Sequence, residues 1–321
     1  MTIREVARAA GVSRQTVTRA INNMADISEA TRERVMQTVD ELGYRPNRFA
    51  IDLSRQRTPA IGLILGTFRN PYYAQLADDF VTELRKRGWQ VVIGTADGDE
   101  PGAIRAMAAQ TDAVIGYFLE SQEAVAAAAR GLPIVLLEQQ AAVAGLHAVN
   151  FDMRGGVLDL VQTLRARGAQ NFAMIDAAHR YPDGTDVSPR RRYFEEAVGH
   201  PCPVAIEPES IAGGMNGFRS LLTTDPSIDT VLAFNDLMAM GALQGSHAMG
   251  LEVPDSVRIV GIDGISLGEA TNPNLTTLSL ESKVVAATAA TILAEIFGGE
   301  RAAATPSTEI VSPKVLWRES A

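Results

Sequence analysis

The sequence predicts a small all-α headpiece joined to an α/β body of two doubly wound parallel-sheet subdomains. Three observations carry that prediction. Up to residue 42, apolar residues recur at helical spacing around a glycine turn. From Ala60 onward, short apolar runs alternate with longer helical patterns, the texture of parallel strands covered by helices on both faces. The charge also changes sign along the chain. Residues 1–57 hold ten arginines, no lysine and seven carboxylates, a balance of +3, while the remainder stands at −12 within a net charge of −9. A basic head on an acidic body suits a nucleic-acid-binding module attached to something with another task.

Each element of the head has a local reason. Thr2 with Glu5 forms a capping-box pattern. Ile3, Val6, Ala7 and Ala10 then supply one buried helical stripe, and Gly11 stands where a residue with positive φ ends the helix. The next helix spans Val12 to Asn22 and has two faces. Val17, Ala20 and Ile21 are apolar, whereas Arg14, Gln15, Thr18, Arg19 and Asn22 form a polar stripe without a carboxylate. Arginine and glutamine offer the forked donors and acceptors that fit base edges in a major groove, and threonine and asparagine hold phosphates or bases. The plain alternative is a short helix pair with a solvated polar face. Ser28 caps a third helix with Val35, Val39 and Leu42 inside, ended by Gly43. Pro46 opens a ten-residue segment to Arg55 that is too short to be helical alone in water.

In the body, strands are expected at Ile61–Leu65, Val91–Gly94, Ala113–Phe118, Ile134–Leu137, Phe172–Ile175, Val204–Ile206, Thr230–Phe234 and Arg258–Gly261. Helices are expected at Tyr72–Arg87, Gly155–Arg167, Phe194–Val198, Met238–Met249 and Val284–Phe297. Ligands in such folds sit at the carboxyl ends of the strands. The body offers no GxGxxG after its first strand, no phosphate-binding P-loop, no HExxH and no GxSxG elbow. Its four histidines are scattered, so neither metal, cofactor nor catalysis is expected. A single cysteine, Cys202, fits a reducing compartment. With no apolar leader and no transmembrane run, the chain is expected to be cytoplasmic and to have no membrane partner.

Four ordered stretches then bear a family resemblance: TIREVARAAGVSRQTVTRAINN, ELGYRPNRFAIDL, AFNDLMAMGAL and VGIDGISLGEATNPNLTTL. With these the chain resembles the lactose-repressor/galactose-repressor family of bacterial transcription regulators over essentially its whole length. The resemblance implies a helix-turn-helix headpiece at 1–45, a hinge helix and linker at 46–59, and a periplasmic-binding-protein-like body at 60–321. Within that body, one subdomain takes about 60–150 and 281–309, the other about 151–280 and 310–321. It implies a homodimer on a near-palindromic double-stranded operator, with a small-molecule effector between the subdomains. The effector is expected to be a sugar or sugar derivative, with a nucleoside or purine as second choice. The chain lacks a leucine-heptad tail, so a dimer is the default.

Ser13, Thr16 and Asn47 complete the expected DNA contacts. Leu53 matches the hinge leucine that wedges between central base pairs, with Ala50 alongside; on spacing alone Leu53 is an ordinary packing residue. Asp52 departs from the family by placing a negative charge near phosphates. For the effector, the resemblance implies Tyr72, Tyr73, Arg190, Asn235 and Asp263, with Glu138 a further candidate. From the residues alone, the tyrosines could be core or surface, and Asn235-Asp236 could simply cap a helix. The stretch 179–187 departs from the usual spacing before the arginine, and Ala212 replaces a large aromatic that several relatives carry. Two other functions stay open: a solute-binding receptor of periplasmic type, and an enzyme on a doubly wound sheet.

Overall fold

A computed structural model describes residues 3–21, 27–41, 58–96, 98–178 and 187–321. The chain forms two units, 1–57 and 58–321.

In the first unit, α1 (Ile3–Ala9), α2 (Arg14–Ile21) and α3 (Glu29–Glu41) enclose a small core of Val6, Ala7, Ala10, Val17, Ala20, Val35 and Val39. The turn between α1 and α2 depends on Gly11, whose φ of +65° sits in the left-handed region that only glycine enters at no cost. Val12 N–H then donates to the Ala7 carbonyl at 3.0 Å, closing the turn. The helix expected from Val12 starts at Arg14, because the Ser13 hydroxyl accepts from Thr16 N–H at 3.1 Å and so caps it. Ser28 caps α3 in the same way, through Thr31. Thr2, Asn22, Leu42 and the whole segment 42–57, with Asn47, Ala50 and Leu53, lie outside the described residues.

The second unit contains two six-stranded sheets. The first lobe holds β1 (Ala60–Leu65), β2 (Gln90–Thr95), β3 (Ala113–Gly116), β4 (Ile134–Leu137) and β5 (Leu146–Phe151). A later strand, β11 (Ser307–Val311), returns to its edge, giving the order β11-β5-β4-β3-β1-β2, all parallel. The second lobe holds β6 (Phe172–Ala177), β7 (Val204–Glu207), β8 (Thr230–Ala233), β9 (Arg258–Asp263) and β10 (Thr276–Ser279). Its antiparallel edge strand β12 (Lys314–Leu316) gives the order β12-β10-β9-β8-β6-β7. The chain therefore crosses between the lobes three times: after β5, after β10 and between β11 and β12.

The helices follow from capping and apolar faces. The α4 helix (Pro71–Lys86) begins at the Asn70 cap, with Pro71 in its first turn. The others are α5 (Glu100–Ala108), α6 (Gln122–Ala129), α7 (Met153–Ala166), α8 (Pro189–Val198), α9 (Ile211–Thr224), α10 (Asp236–Ala248) and α11 (Ser282–Gly298). The α11 helix packs back on α4 in the first lobe, and α7 packs on α8 in the second. Among the described residues, no helix is long and apolar enough to cross a membrane.

Several expected elements differ. The strand over Ala113–Phe118 stops at Gly116, and the helix at Phe194–Val198 starts at Pro189, because Ser188 caps it through Arg191 N–H at 2.9 Å. Four strands were not anticipated. β5 carries His147 and Asn150, β10 opens with two threonines, β11 is half-buried and β12 is three residues long. None of them is the continuous apolar run by which buried parallel strands are recognised.

Candidate functional site

The carboxyl ends of both sheets supply the residues of one cluster. Tyr117 follows β3, Glu138 follows β4, Asn235 follows β8, and Asp263 ends β9. Glu138 and Asp263 have φ of +59° and +134°, regions that ordinary side chains seldom enter. Strained backbone of this kind concentrates where a side chain must be aimed.

Arg190, in the first turn of α8, joins the two lobes. Its Nη1 donates to the Phe234 carbonyl at 2.6 Å and lies 3.6 Å from Asp263 Oδ1. Its Nη2 lies 3.5 Å from Glu138 Oε1 in the other lobe, and its guanidinium stands over the Phe234 ring, 4.5 Å from the centroid. Asp263 also receives Asn70 Nδ2 at 3.3 Å from the first lobe. Asn70 meanwhile caps α4, its Oδ1 accepting from Tyr72 N–H at 3.0 Å. A second link runs through Gln75, which accepts from Ser266 N–H at 2.9 Å and donates to the Gly264 carbonyl at 3.4 Å.

Beside this lies a group of phenols. Tyr72 is buried, with its hydroxyl 3.2 Å from that of Tyr117, and Tyr73 meets both rings edge-on at 5.5 Å. Burial raises all three phenol pKa values above their ordinary range, helped by the charge of Glu138, so they remain neutral donors. Burial also pushes the Asp263 carboxyl well up, against the opposing pull of Arg190. For Arg190 itself, burial acts to lower the pKa, but Glu138, Asp263 and Glu209 outweigh it, and the guanidinium is held above its ordinary value.

The sequence-predicted residues therefore divide. Arg190, Asp263, Glu138, Tyr72 and Tyr73 come together. Asn235 lies at the edge: its Oδ1 accepts from Met238 N–H at 2.9 Å, capping α10, while its Nδ2 donates to Glu209 Oε2 at 3.0 Å. Sequence reasoning missed Asn70, Gln75, Tyr117, Glu209 and Phe234. Asn70 had a usable signal, a capping residue directly before a proline at a helix start. On the headpiece, Arg14, Gln15 and Arg19 are exposed on α2, while Thr16 and Thr18 are half-exposed. The Thr18 hydroxyl donates back to the Arg14 carbonyl at 3.1 Å, and the Ser13 hydroxyl serves as the cap. Among the described residues, no group of His, Cys, Asp and Glu could hold a metal ion.

Asp236, beside this cluster, plays a supporting part. It is fully buried and accepts from Gly264 N–H and Ile265 N–H at 2.9 Å each and from the Thr277 hydroxyl at 2.5 Å. These bonds fix the loop that follows Asp263. Burial raises its carboxyl from 3.8 to about 6. A carboxyl with a raised folded-state pKa contributes stability that is full below about pH 4 and lost as pH rises to about 6. Urea-unfolding midpoints should therefore fall across that interval, and Asp236→Asn should make the fall shallower. The fall should not vanish, because Asp263 has the same sign. An identical slope in the variant would show that Asp236 is not the titrating group.

Residues 2–47 match the model of bacterial regulatory proteins of the lacI family, and residues 161–321 match a periplasmic binding protein-like domain. The transcriptional regulator DegA of Bacillus subtilis is 30% identical over 303 residues, covering 89% of this chain and 88% of that protein. Among solved structures, a LacI family transcriptional regulator from Arthrobacter sp. FB24 in complex with lactose aligns with a TM-score of 0.74 at 27% identity. That alignment covers 82% of this chain and 99% of the other. A complex of the transcriptional regulator CelR with cellobiose aligns over 100% of both chains, with a TM-score of 0.68 at 27% identity.

Proposed function

The chain belongs to the lacI family of bacterial regulatory proteins, and from that premise we propose a repressor whose operator affinity is set by a sugar-type effector bound between the lobes of its body. It is a DNA-binding transcriptional regulator with a helix-turn-helix head and a periplasmic-binding-protein-like body. The proposal concerns what controls it and through which residues. We assign the headpiece to 1–45, the hinge to 46–59 and the body to 60–321. The protein acts in the cytoplasm as a homodimer on a near-palindromic operator, and it is not an enzyme. Ser13, Arg14, Gln15, Thr16, Thr18, Arg19 and Asn22 face the DNA, and Asn47, Ala50 and Leu53 act from the hinge.

The observation that carries the effector reading is the Arg190 cluster, in which Glu138 and Asn70 of one lobe meet Arg190 and Asp263 of the other. Carboxylates, amides, phenols and one guanidinium offer both donors and acceptors, as a polyhydroxy ligand requires. A ligand whose hydroxyls replace these cross-lobe bonds changes the preferred placement of the lobes. If that placement decides whether paired hinges can fold on DNA, effector and operator are linked, and the coupling acts in both directions.

The test is operator binding by the purified protein, followed by fluorescence anisotropy at fixed salt and titrated with sugars, sugar derivatives and nucleosides. Salt must be fixed because phosphate contacts make affinity steeply salt-dependent. A sugar should shift the half-saturation point by about 5- to 150-fold. A shift produced only by a nucleoside would overturn the sugar reading, and no specific DNA binding would overturn the proposal. In the same assay, Gln15→Ala should cost about 1–3 kcal/mol and relax base preference at one operator position. Equal loss on every sequence would make Gln15 a phosphate contact.

A further inference from the structure

We infer that Gln75 is a positioning residue of the body, the fixed contact about which the two lobes turn when the effector cluster exchanges its bonds. The inference rests on the proposed reading that an effector shifts the lobes, and it adds the place where they stay joined. Gln75 stands on α4 of the first lobe and binds the main chain of the second. Its Oε1 accepts from Ser266 N–H at 2.9 Å, and its Nε2 donates to the Gly264 carbonyl at 3.4 Å. A carboxamide is donor and acceptor in one planar fork, so it can meet a carbonyl and an amide two residues apart. The partners also fix which way the fork faces, because Ser266 N–H only donates and the Gly264 carbonyl only accepts.

What Gln75 grips is firmly part of the second lobe. Ser266 opens a 3-10 turn, Ser266–Glu269, whose N-cap residue is Ile265. An isoleucine side chain accepts no hydrogen bond, so the turn has no cap of its own. Three successive amides lead into it. Asp236 takes those of Gly264 and Ile265 at 2.9 Å each, and Gln75 takes the third from across the lobes. Gly264 is wedged against Ser279 of β10, where an added methyl would stand 2.6 Å from the Ser279 Cβ. A pull on this loop is therefore a pull on β10 and α10 together.

The contacts along α4 are of two kinds. At its start, the cross-lobe bonds of the effector cluster run between side chains and are long. They measure 3.3 Å for Asn70 with Asp263 and 3.5 Å for Arg190 with Glu138. Each of these side chains can swing to a ligand hydroxyl. Roughly 7 Å further along the helix axis, Gln75 holds backbone instead. Roughly 6 Å beyond that stands Asp79. Its Oδ2 accepts from Ser282 Oγ at 2.6 Å, both residues being buried, where the chain has just crossed from β10 into α11. The exchangeable bonds thus lie at one end of α4, and the fixed ones lie toward the crossing. Bonds broken at the cluster turn the lobes about Gln75 rather than part them.

Amide hydrogen exchange on the full chain without effector tests this. Gln75→Ala should speed exchange of the Ser266 amide about tenfold or more, while the Ile265 amide, still held by Asp236, stays slow. Glu138→Ala, which frees Arg190 from the first lobe, should leave the Ser266 amide within about threefold of the parent. Ser266 exchange unchanged by Gln75→Ala, or accelerated as much by Glu138→Ala, overturns the inference. Operator binding titrated with lactose and with cellobiose reads the consequence. Gln75→Ala should cut the sugar-induced shift about fivefold or more, with sugar affinity by calorimetry falling about threefold or less. Gln75→Glu keeps the acceptor for Ser266 N–H and should return most of the shift. Affinity that falls as far as the shift would make Gln75 an effector contact and overturn the pivot. If neither sugar moves operator binding in the parent, the sugar reading falls by itself, and the exchange result still decides whether Gln75 is the pivot.

Discussion

Arg190→Ala is expected to weaken effector binding by about 2–5 kcal/mol, roughly thirtyfold or more, and to abolish the effector's influence on operator affinity. The size follows from what the side chain holds. Its removal takes a fork from between the two lobes, frees the Phe234 carbonyl, and leaves Asp263 buried with Asn70 as its remaining polar contact from the first lobe. Truncating one partner of a buried charge pair is costly mainly because the other charge stays behind. Arg190→Lys should recover part of the affinity, since it restores a positive charge but not the planar fork that spans Glu138 and Asp263. Operator binding without effector is the control, because the headpiece forms its own core of Val6, Val17, Val35 and their neighbours. Calorimetry showing effector affinity within threefold of the parent would remove Arg190 from the site.

How far the sequence reveals this depends on whether a residue's reason is local. Runs such as Ala60–Leu65 and Ile134–Leu137 are apolar throughout and entirely buried, so their strands are legible. Thr276 and Thr277 are equally buried, but their hydroxyls are satisfied by Arg318 N–H and by Asp236, forty or more residues away in sequence. No local pattern predicts that, so β10 is not legible from the sequence. The headpiece was legible because its turn needs one glycine and its helices need short-range caps, all visible within a few residues.

The site divides on the same line. The family resemblance names Asp263 and Asn235, and these, like Glu138, follow or end strands, the place where α/β folds put ligands. Glu209 follows a recognised strand too, but what ties it to the cluster includes a bond from Asn235, 26 residues away in sequence, which no local pattern signals. Tyr117 falls inside the strand expected over Ala113–Phe118 and Phe234 is the last residue of the one expected over Thr230–Phe234, so neither side chain reads as a site residue. Asn235 and Asp236 show the limit most clearly. Both are polar residues at a helix start, and only the structure separates the cap, Asn235, from the buried support of the Gly264 loop, Asp236.

Gly214→Ala is expected to destabilise the body by about 1–3 kcal/mol, although alanine is the better helix former by about 1 kcal/mol. The reason is the crossing of α9 and α10, where backbone meets backbone. A methyl at Gly214 would collide with the Met238 carbonyl oxygen and stand 2.7 Å from its carbon. Reciprocally, a methyl at Gly241 would collide with the Ile211 carbonyl oxygen and stand 2.8 Å from Met215 N. Each helix thus supplies a glycine against the other's main chain, and neither obstacle is a side chain that can swing away. Separation of the helices would pull the start of α10 from the loop after β9, because Asp236 holds that loop through Gly264 and Ile265. Effector affinity should therefore fall together with the thermal midpoint, which should drop by several degrees. The matched control is Gly298→Ala near the end of α11, where the nearest atom to an added methyl is 3.7 Å away, so it should be neutral or slightly stabilising. A thermal midpoint for Gly214→Ala no lower than that of Gly298→Ala would mean that the two helices can part at little cost. The strand ends that carry Asn235 and Asp263 would then have to be held in place by the sheet alone.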